Sequence, residues 1–539
     1  MSARRGTARV LLATAVLAPT ALLWTPAQAQ TPACADAEVT VPGAEMQRVE
    51  CHDDLSATVL AAKGRSDISD WATLHSRQSR NPAAGAGMQV DGYFPDDSTT
   101  NTTYGWNSDA QFVIRLPEDW NGQLVVTGAP GVRKQYANDY IISDWVLSQG
   151  YAYASTDKGN SGTSFFNNGS RSGPGQPLQE WHARVTELTL AAKQVVAQRY
   201  GRAPERTWMT GISNGGYLTR WQLENRPELY DGGVDWEGTL MLAEGPNLFT
   251  YLPTALREYP RAQLDPAARQ RMYDVGFEPG SEVLWPDHYA VYWDLTQRVY
   301  REAFDPGYDG DTKAGTPFCR TGGEPGTPTA CDAQYDYASR PQEVKDAVAS
   351  VSLTGNIGKP MLTLHGTLDA LLPIRTDSDV YTQMIADAGK GAMHRYYVIE
   401  DGNHVDDRYD LFPTETRPIL PCYREAFARL TAWVTDGVAP PGSTTVARPA
   451  TGDLANTCPE LAGASTAPAP GGDDGDPGGD PGDRGGATGD VAGRPGPAAV
   501  RTATARTALP ATGTWPAAAP AAVVLLALGA AGAVWRRRA

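Results

Sequence analysis

The chain has 539 residues, of which 41% are hydrophobic, and a formal net charge of −16. This length and apolar content allow at least one sizeable core. The acidic balance argues against a protein that mainly binds nucleic acid, because such a protein needs a basic face to displace counterions. A mean hydropathy of −0.39 excludes a polytopic membrane protein, and the 56 glycines and 41 prolines indicate that part of the chain is linker.

The first 29 residues have the features of a secretory signal. Arg4, Arg5 and Arg9 precede an apolar run at 10–23, and Ala-Gln-Ala at 27–29 supplies small residues for cleavage. The sequence therefore predicts an exported protein.

The last segment, 509–539, combines three features in a fixed order. Leu-Pro-Ala-Thr-Gly at 509–513 is followed by an apolar stretch at 517–534 and by three arginines at 536–538. The apolar stretch is long enough to span a bilayer, and a bare membrane anchor is the simpler interpretation. The ending resembles the LPxTG cell-wall sorting signal of Gram-positive surface proteins. That resemblance implies that a sortase cleaves after Thr512 and joins it covalently to peptidoglycan.

The six cysteines fit an exported protein, and none has the spacing with histidines that is typical of zinc sites. They are Cys34, Cys51, Cys319, Cys331, Cys422 and Cys458. Outside the cell we expect three disulfides. Other connectivities stay open, but we favour the nearest-neighbour pairs 34–51, 319–331 and 422–458 because short loops close readily.

Composition changes near residue 443. From there to 508, Gly, Pro, Asp, Ala and Thr dominate, and such a segment buries too little apolar surface to offset chain entropy. We therefore predict a folded domain at 30–442 and a disordered spacer at 443–508. Cys458, if paired, would tether the first part of the spacer to the domain.

Within the predicted domain, short apolar runs alternate with segments of helical periodicity. The predicted strands are 112–114, 124–126, 151–154, 207–210, 361–364 and 396–399, and the predicted helices are 139–149, 179–200, 216–224, 377–388 and 423–434. This alternation predicts an α/β fold with a mostly parallel, doubly wound sheet that is covered on both faces.

The alternation stops at about 247–340, where the chain is rich in Tyr, Trp and Phe. A long insertion in such a fold is usually functional, and we predict a cap or lid. We assign most of its aromatic side chains to a small core of its own and a minority to a substrate groove.

A candidate nucleophile lies in Gly-Ile-Ser-Asn-Gly at 211–215, directly after a predicted strand and before a predicted helix. A serine on such a turn exposes its hydroxyl above the sheet. Gly211 and Gly215 are expected to be small because the strand and helix backbones pass close to one another. Ser213 is therefore the predicted nucleophile.

A serine nucleophile needs a base and an orienting acid, expected in the order serine, acid, histidine. Asp369 follows the strand at 361–364, and His404 follows the strand at 396–399. Both lie at the edge where parallel α/β sheets bind ligands. Asp235, after an earlier strand, stays open as an alternative acid.

Two of the other histidines need comment. His365 precedes a turn glycine at a strand end, and we expect it to be structural. His288 lies in the aromatic insertion, where it could contact substrate.

An oxyanion hole is expected from the backbone N–H of Asn214 and one N–H from the loop at 127–131. Pro130 has no N–H, so Ala129 and Gly131 are the candidate donors.

The phrases GISNGG, LHGTLDALLP and EDGNH resemble the α/β-hydrolase superfamily, over about 110–436. They look most like secreted esterases and depolymerases of the feruloyl esterase, tannase and polyhydroxyalkanoate depolymerase type. The resemblance implies an α/β-hydrolase fold, a serine hydrolase that cleaves small or polymeric esters through an acyl-enzyme, and no metal or organic cofactor. A peptidase of the prolyl-oligopeptidase or aminopeptidase type, and a non-catalytic surface binding protein, stay open.

Overall fold

The computed structural model describes Cys34 and residues 38–308 and 332–462. The predicted signal segment, the sorting segment with Thr512, Cys319 and Cys331 lie outside the described residues, as does the spacer beyond 462. Among the described helices, none combines the length and the apolarity needed to cross a membrane.

Ten strands form one mixed sheet in the order β1-β2-β3-β5-β4-β6-β7-β8-β9-β10. The strands are β1 (Met46–His52), β2 (Gly87–Tyr93), β3 (Gln111–Pro117), β4 (Gln123–Gly128), β5 (Ala152–Thr156), β6 (Arg206–Ile212), β7 (Gly232–Trp236), β8 (Met361–Gly366), β9 (His394–Ile399) and β10 (Thr444–Val446). The pairs β1–β2, β2–β3 and β3–β5 are antiparallel. All pairs from β5 to β10 are parallel, so the predicted mostly parallel sheet is confirmed.

Helices cover both faces of this sheet. They are α1 (Ala57–Ala62), α2 (Ile68–Trp71), α3 (Asp144–Ser148), α4 (Gln176–Tyr200), α5 (Asn214–Asn225), α6 (Leu248–Ala262), α7 (Pro266–Asp274), α8 (Trp285–Asp287), α9 (Trp293–Phe304), α10 (Gln342–Ala349), α11 (Ser378–Asp387) and α12 (Leu420–Asp436), with π-helical turns at Asp139–Ser143 and His288–Tyr292. Alternate strand residues point to opposite faces. Val126 therefore packs with α4 and α5, whereas its neighbour Val125 packs in the core that contains α3 and α12.

The insertion at 247–340 is helical, and we call its described residues, 247–308 and 332–340, the cap. Its aromatic rings contact one another, with centroids 5.9 Å apart for Phe249 and Phe304 and 5.4 Å for Phe277 and Trp293. Such contacts are worth about 0.5–1.5 kcal/mol each beyond area burial. The prediction of a separate core for the insertion was wrong, because these aromatics belong to one continuous core with the sheet and α4, where Tyr300 lies against Trp181 with centroids 6.3 Å apart.

The predicted domain boundary at 442 was placed too early. β10 extends the sheet beside β9, and a disulfide joins Cys422 to Cys458. Arg417 also donates to the carbonyl oxygen of Ala447 at 2.8 Å. A three-residue edge strand is too short to stand out from a spacer-like composition, so its register is visible only in the fold. The 34–51 pair is likewise confirmed, and the 319–331 pair lies outside the described residues.

Candidate active site

The turn between β6 and α5 has the geometry of a nucleophile elbow. Ser213 has φ 58° and ψ −121°, a backbone conformation that is strained for a residue with a side chain. Its N–H donates to the Trp236 carbonyl oxygen at 3.0 Å, and its own carbonyl accepts from Tyr217 N–H at 2.8 Å. The predicted strand-to-helix turn at Ser213 is therefore present, and hydrogen bonds hold it on both sides.

The two glycines of the motif are required by close backbone approach. A Cβ atom at Gly211 would lie 2.5 Å from the carbonyl carbon of Gly215. A Cβ atom at Gly215 would lie 2.6 Å from the carbonyl oxygen of Gly128. Any larger residue would push β6, α5 and the end of β4 apart.

Four neighbouring parallel strands each deliver one polar side chain to the same edge of the sheet. Ser213 follows β6, Glu237 follows β7, Asp369 lies beyond β8 and His404 lies beyond β9. Parallel strands place all four carboxyl ends at one edge, which is where α/β sheets bind ligands.

Asp369 and His404 form a buried pair. His404 Nδ1 lies 2.8 Å from Asp369 Oδ2, while Asp369 Oδ1 accepts the N–H groups of Leu371 and Leu372, both at 2.8 Å. Burial would raise the pKa of Asp369, but the charge of His404 and hydrogen bonds from His365 and His404 outweigh it. They hold that pKa well below its usual range. Asp369 is therefore ionised and able to fix the imidazole.

Asp235 is not the acid, because its carboxylate has other partners. It accepts from Arg220 Nε at 2.7 Å and from the N–H of Gly238 at 2.9 Å. His365 is buried behind the pair, with Nδ1 2.7 Å from Ser378 Oγ and Nε2 3.2 Å from Asp369 Oδ2. The expectation that His365 is structural is confirmed.

Glu237, His365 and Asp369 bring one ligand-type atom each within 4.8 Å of one another. The Nε2 atom of His365 also lies 2.9 Å from the carbonyl oxygen of Leu372. Both nitrogens of His365 thus have protein partners, so we assign the three groups to hydrogen bonding rather than to a metal.

His288, which the sequence left open as a substrate contact, occupies the interior of the cap. Its side chain is buried, with Nδ1 2.9 Å from the carbonyl oxygen of Leu284. Its ring lies against that of Trp293, with centroids 6.0 Å apart. Burial lowers the pKa of His288 to about 4, so it is an uncharged core residue.

Ala129 and Gly131 were the two loop candidates for the second oxyanion donor, and the prediction for Ala129 was wrong. Its N–H donates to the carbonyl oxygen of Thr156 at 2.9 Å, because the β4–β5 pairing continues one residue past β4. At Gly131 the backbone has φ 50° and no longer follows the strand direction. Its N–H has no acceptor among the described residues. The Asn214 N–H lies at the first position of α5, where helices leave such donors free. Asn214 and Gly131 therefore remain the predicted donors.

Gly131 and Asn214 are tied together by side chains that the sequence did not single out. The Gly131 carbonyl oxygen accepts from Asn214 Nδ2 and from Lys158 Nζ, both at 3.1 Å. Tyr300 of α9 donates to Asn214 Oδ1 at 2.6 Å. Lys158 is fully buried, and burial lowers its pKa to about 8 although Asp157 opposes the shift. A lone lysine after a strand and one tyrosine among many carry no pattern that reveals these contacts.

Comparisons with known proteins show similarity to esterases over part of the chain. A sequence model of the tannase and feruloyl esterase family matches residues 98–237, which include the loop at 127–131 and the elbow. Mono(2-hydroxyethyl) terephthalate hydrolase from Piscinibacter sakaiensis is 27% identical over 144 residues, 24% of this chain and 23% of that protein. The match thus spans less than a quarter of that relative's length.

Two solved structures can be superposed on most of the chain. Feruloyl esterase B from Aspergillus oryzae is 16% identical with a TM-score of 0.42, covering 74% of this chain and 89% of that one. Tannin acyl hydrolase from Aspergillus niger is 15% identical with a TM-score of 0.40, covering 73% and 83%. The α/β-hydrolase fold itself is defined by the parallel strands and the elbow described above.

Proposed function

We propose that this chain is a serine hydrolase that cleaves carboxylic esters through an acyl-enzyme intermediate. The observation that carries the proposal is the buried Asp369–His404 pair at the sheet edge where Ser213 occupies its strained turn. A serine, an ionised acid and a histidine at one sheet edge supply the groups that acyl transfer needs.

In this mechanism Ser213 attacks the ester carbonyl carbon while His404 accepts the hydroxyl proton. Asp369 holds Nδ1 of the ring and stabilises the imidazolium that forms. The oxyanion is stabilised by the N–H groups of Asn214 and Gly131, which are worth about 10²–10³ in rate for each donor. His404 then protonates the leaving alcohol, and water resolves the acyl-enzyme by the same path.

An ester is the proposed substrate because the matched family and relative are named for ester cleavage, and the match covers the elbow. The cap is rich in aromatic residues, and one of them, Tyr300, donates to the side chain of Asn214, the residue next to the nucleophile. We therefore propose an ester with apolar or aromatic parts, either a small molecule or a polymer.

The test uses the chain expressed so that its disulfides form, with a short-chain p-nitrophenyl ester and an aminoacyl p-nitroanilide as substrates. Ser213→Ala is the variant, and Ser352→Ala, at a half-buried serine whose hydroxyl donates to the Val348 carbonyl oxygen, is its matched control. Ester turnover that Ser213→Ala alone abolishes, with no anilide turnover, supports the proposal. Anilide turnover would favour a peptidase, and a folded protein inactive on both would favour a surface binding protein.

We further propose that the protein is exported and attached to the cell wall of a Gram-positive bacterium. The sorting motif that ends near Thr512 supports this, and two disulfides in the folded part are typical of proteins outside the cytoplasm. Digestion of the wall with a muramidase should release the protein, whereas detergent alone should not. Release by detergent alone would indicate a membrane anchor instead.

A further inference from the structure

Glu237 lies between the nucleophile strand and the strand of the catalytic acid. It follows β7 with φ 50°, and its N–H donates to the Leu364 carbonyl oxygen at 2.9 Å. Its Oε1 accepts the N–H of Gly366 at 2.8 Å, and the side chain is fully buried. Backbone and side chain are thus fixed against β8, which aims the carboxyl at the histidine.

The second oxygen of Glu237 faces the catalytic base. Glu237 Oε2 lies 3.8 Å from Nδ1 of His404 and has no hydrogen-bond partner among the described residues. The same nitrogen pairs with Asp369 at 2.8 Å. Two buried carboxyl groups therefore face one ring nitrogen, and only one of them is bonded to it.

The carboxyl groups of Asp369 and Glu237 differ in how many hydrogen-bond donors stabilise their ionised form. Asp369 is within hydrogen-bond distance of two backbone N–H groups and two imidazoles, whereas Glu237 accepts one backbone N–H. Burial, and then the negative charge of Asp369, raise the pKa of Glu237 well above its usual range. While Asp369 is ionised, Glu237 is an uncharged acid.

Further titratable groups face Glu237 from its own strand and from the two neighbouring loops. They are Asp235 after the middle of β7, His365 and Asp369 at β8, and His404 and Asp406 beyond β9. Asp235 is neutralised by Arg220, and Asp406 accepts the N–H groups of Ile419 and Leu420. Burial and then Asp369 therefore have the largest influence on the charge of Glu237, and Asp406 and Asp235 add smaller contributions.

We propose that Glu237 is a second carboxyl group positioned on His404, which helps Asp369 to orient the imidazole and does so alone when Asp369 is replaced by a neutral residue. This inference rests on the proposed serine-hydrolase function. Glu237 is a positioning residue, because it acts on the reaction only through His404. Replacing Asp369 removes the largest negative-charge contribution to the raised pKa of Glu237, whereas burial, the first cause, remains. Glu237 Oε2 is then the carboxyl oxygen left facing Nδ1 of His404.

The test is a double-mutant cycle on kcat/KM for the p-nitrophenyl ester, with Glu237→Gln and Asp369→Asn alone and together. Glutamine keeps an oxygen for the Gly366 N–H. Loss of the acid in a serine triad typically costs about 10⁴-fold. We expect Asp369→Asn to cost about 10²-fold and the double variant about 10⁴-fold. If Glu237→Gln lowers kcat/KM by the same factor in the wild type and in Asp369→Asn, the proposal is overturned.

Asp235→Asn is the matched control, because Asp235 is a buried carboxyl on the same strand that contacts Arg220 instead of His404. The fold loss in kcat/KM caused by Asp235→Asn should be the same with and without Asp369→Asn. If the double variant of Glu237 and Asp369 does not fold, Asp369→Ala provides a second background for the cycle.

A readout without turnover separates this inference from the proposed function. In the Asp369→Asn background, NMR should detect a low-field Nδ1–H proton signal of His404 that disappears when Glu237→Gln is added. An Nδ1–H signal that is the same with and without Glu237 would overturn the inference even in an active enzyme. Ester turnover that survives in Ser213→Ala would overturn the function while leaving the NMR result valid.

Discussion

The polar groups beside the sheet are fixed by buried ion pairs and hydrogen bonds, whereas the cap, which also buries the pair Arg301–Asp332, is packed mainly by aromatic rings in contact. Arg220 meets Asp235 and Arg115 meets Asp139 with almost no exposure, both at 2.7 Å. The cap packs rings such as that of Trp293, which is fully buried.

The two kinds of packing suit different tasks, catalysis beside the sheet and substrate fit in the cap. Hydrogen bonds and ion pairs are directional and fix atoms at set distances, which acid–base catalysis requires. Aromatic packing is less directional, so it tolerates changes in shape at a smaller cost to geometry. We therefore expect sheet variants to change the chemical step and cap variants to change cap stability and substrate fit.

The largest expected effect lies in the sheet. His404→Ala removes the base and leaves two buried carboxyl groups without their imidazole, so kcat for the ester should fall by about 10⁴-fold or more. His52→Gln, on the edge strand β1, is the matched control and should leave kcat within about threefold. Substantial ester turnover by His404→Ala would contradict the assignment of the base.

Trp293→Ala tests the cap. The indole packs against Tyr259 and Phe277 and donates to the Ala370 carbonyl oxygen at 2.7 Å. Deleting such a side chain typically costs about 3–5 kcal/mol. Hydrogen exchange should show lost protection in α6 and α9 with protection retained in β6 and β8. An equal loss of hydrogen-exchange protection in the cap helices and in the sheet strands would show that cap and sheet open as one unit.

His394→Gln tests how the sheet responds to acid. Burial lowers the pKa of His394 to about 3, from 6.5 for an ordinary histidine. As the pH falls below 6.5, the unfolded chain takes up a proton that the folded sheet does not, so the wild type loses stability. The glutamine variant lacks this loss, so from pH 7 to 5 it should gain about 2 kcal/mol relative to the wild type.

Urea unfolding at several pH values would measure this gain, and curves that stay parallel would contradict it. His288→Gln makes the same comparison in the cap, since the pKa of His288 is also low, at about 4. An equal gain there is expected if cap and sheet unfold together, and no gain in the main transition if the cap opens first.

Tyr300→Phe has the smallest expected effect, at the contact between the two regions. The variant removes one hydrogen bond to Asn214 Oδ1 but leaves Thr239 Oγ1 as a donor at 3.3 Å. One such bond is worth about 1 kcal/mol, so kcat/KM should fall about fivefold. A loss of more than a hundredfold would show that the cap takes part in the chemistry.

The sequence predicted the parts of the site that are set by local pattern. Short apolar runs mark the buried strands, so Asp369 and His404 could be placed at the sheet edge, and the glycines mark the elbow around Ser213. β2 was missed because Gln89 and Asp91 are buried polar residues, and their partners come from distant parts of the chain.

Other features depend on contacts between distant segments. Glu237 is one acidic residue after a five-residue strand, and nothing in that string shows that its carboxyl faces His404. Ala129 was chosen because it has an N–H, yet that group is used by the sheet pairing with Thr156. Such outcomes follow from register and burial, which a single sequence does not display.

The most direct test of the account is the site of covalent labelling by a fluorophosphonate, read by mass spectrometry of the intact protein and of its peptides. We predict one adduct, on Ser213, formed at a rate that falls sharply in folded His404→Ala protein. No adduct on folded protein, or an adduct on another serine, would contradict the assignment of Ser213 as the nucleophile.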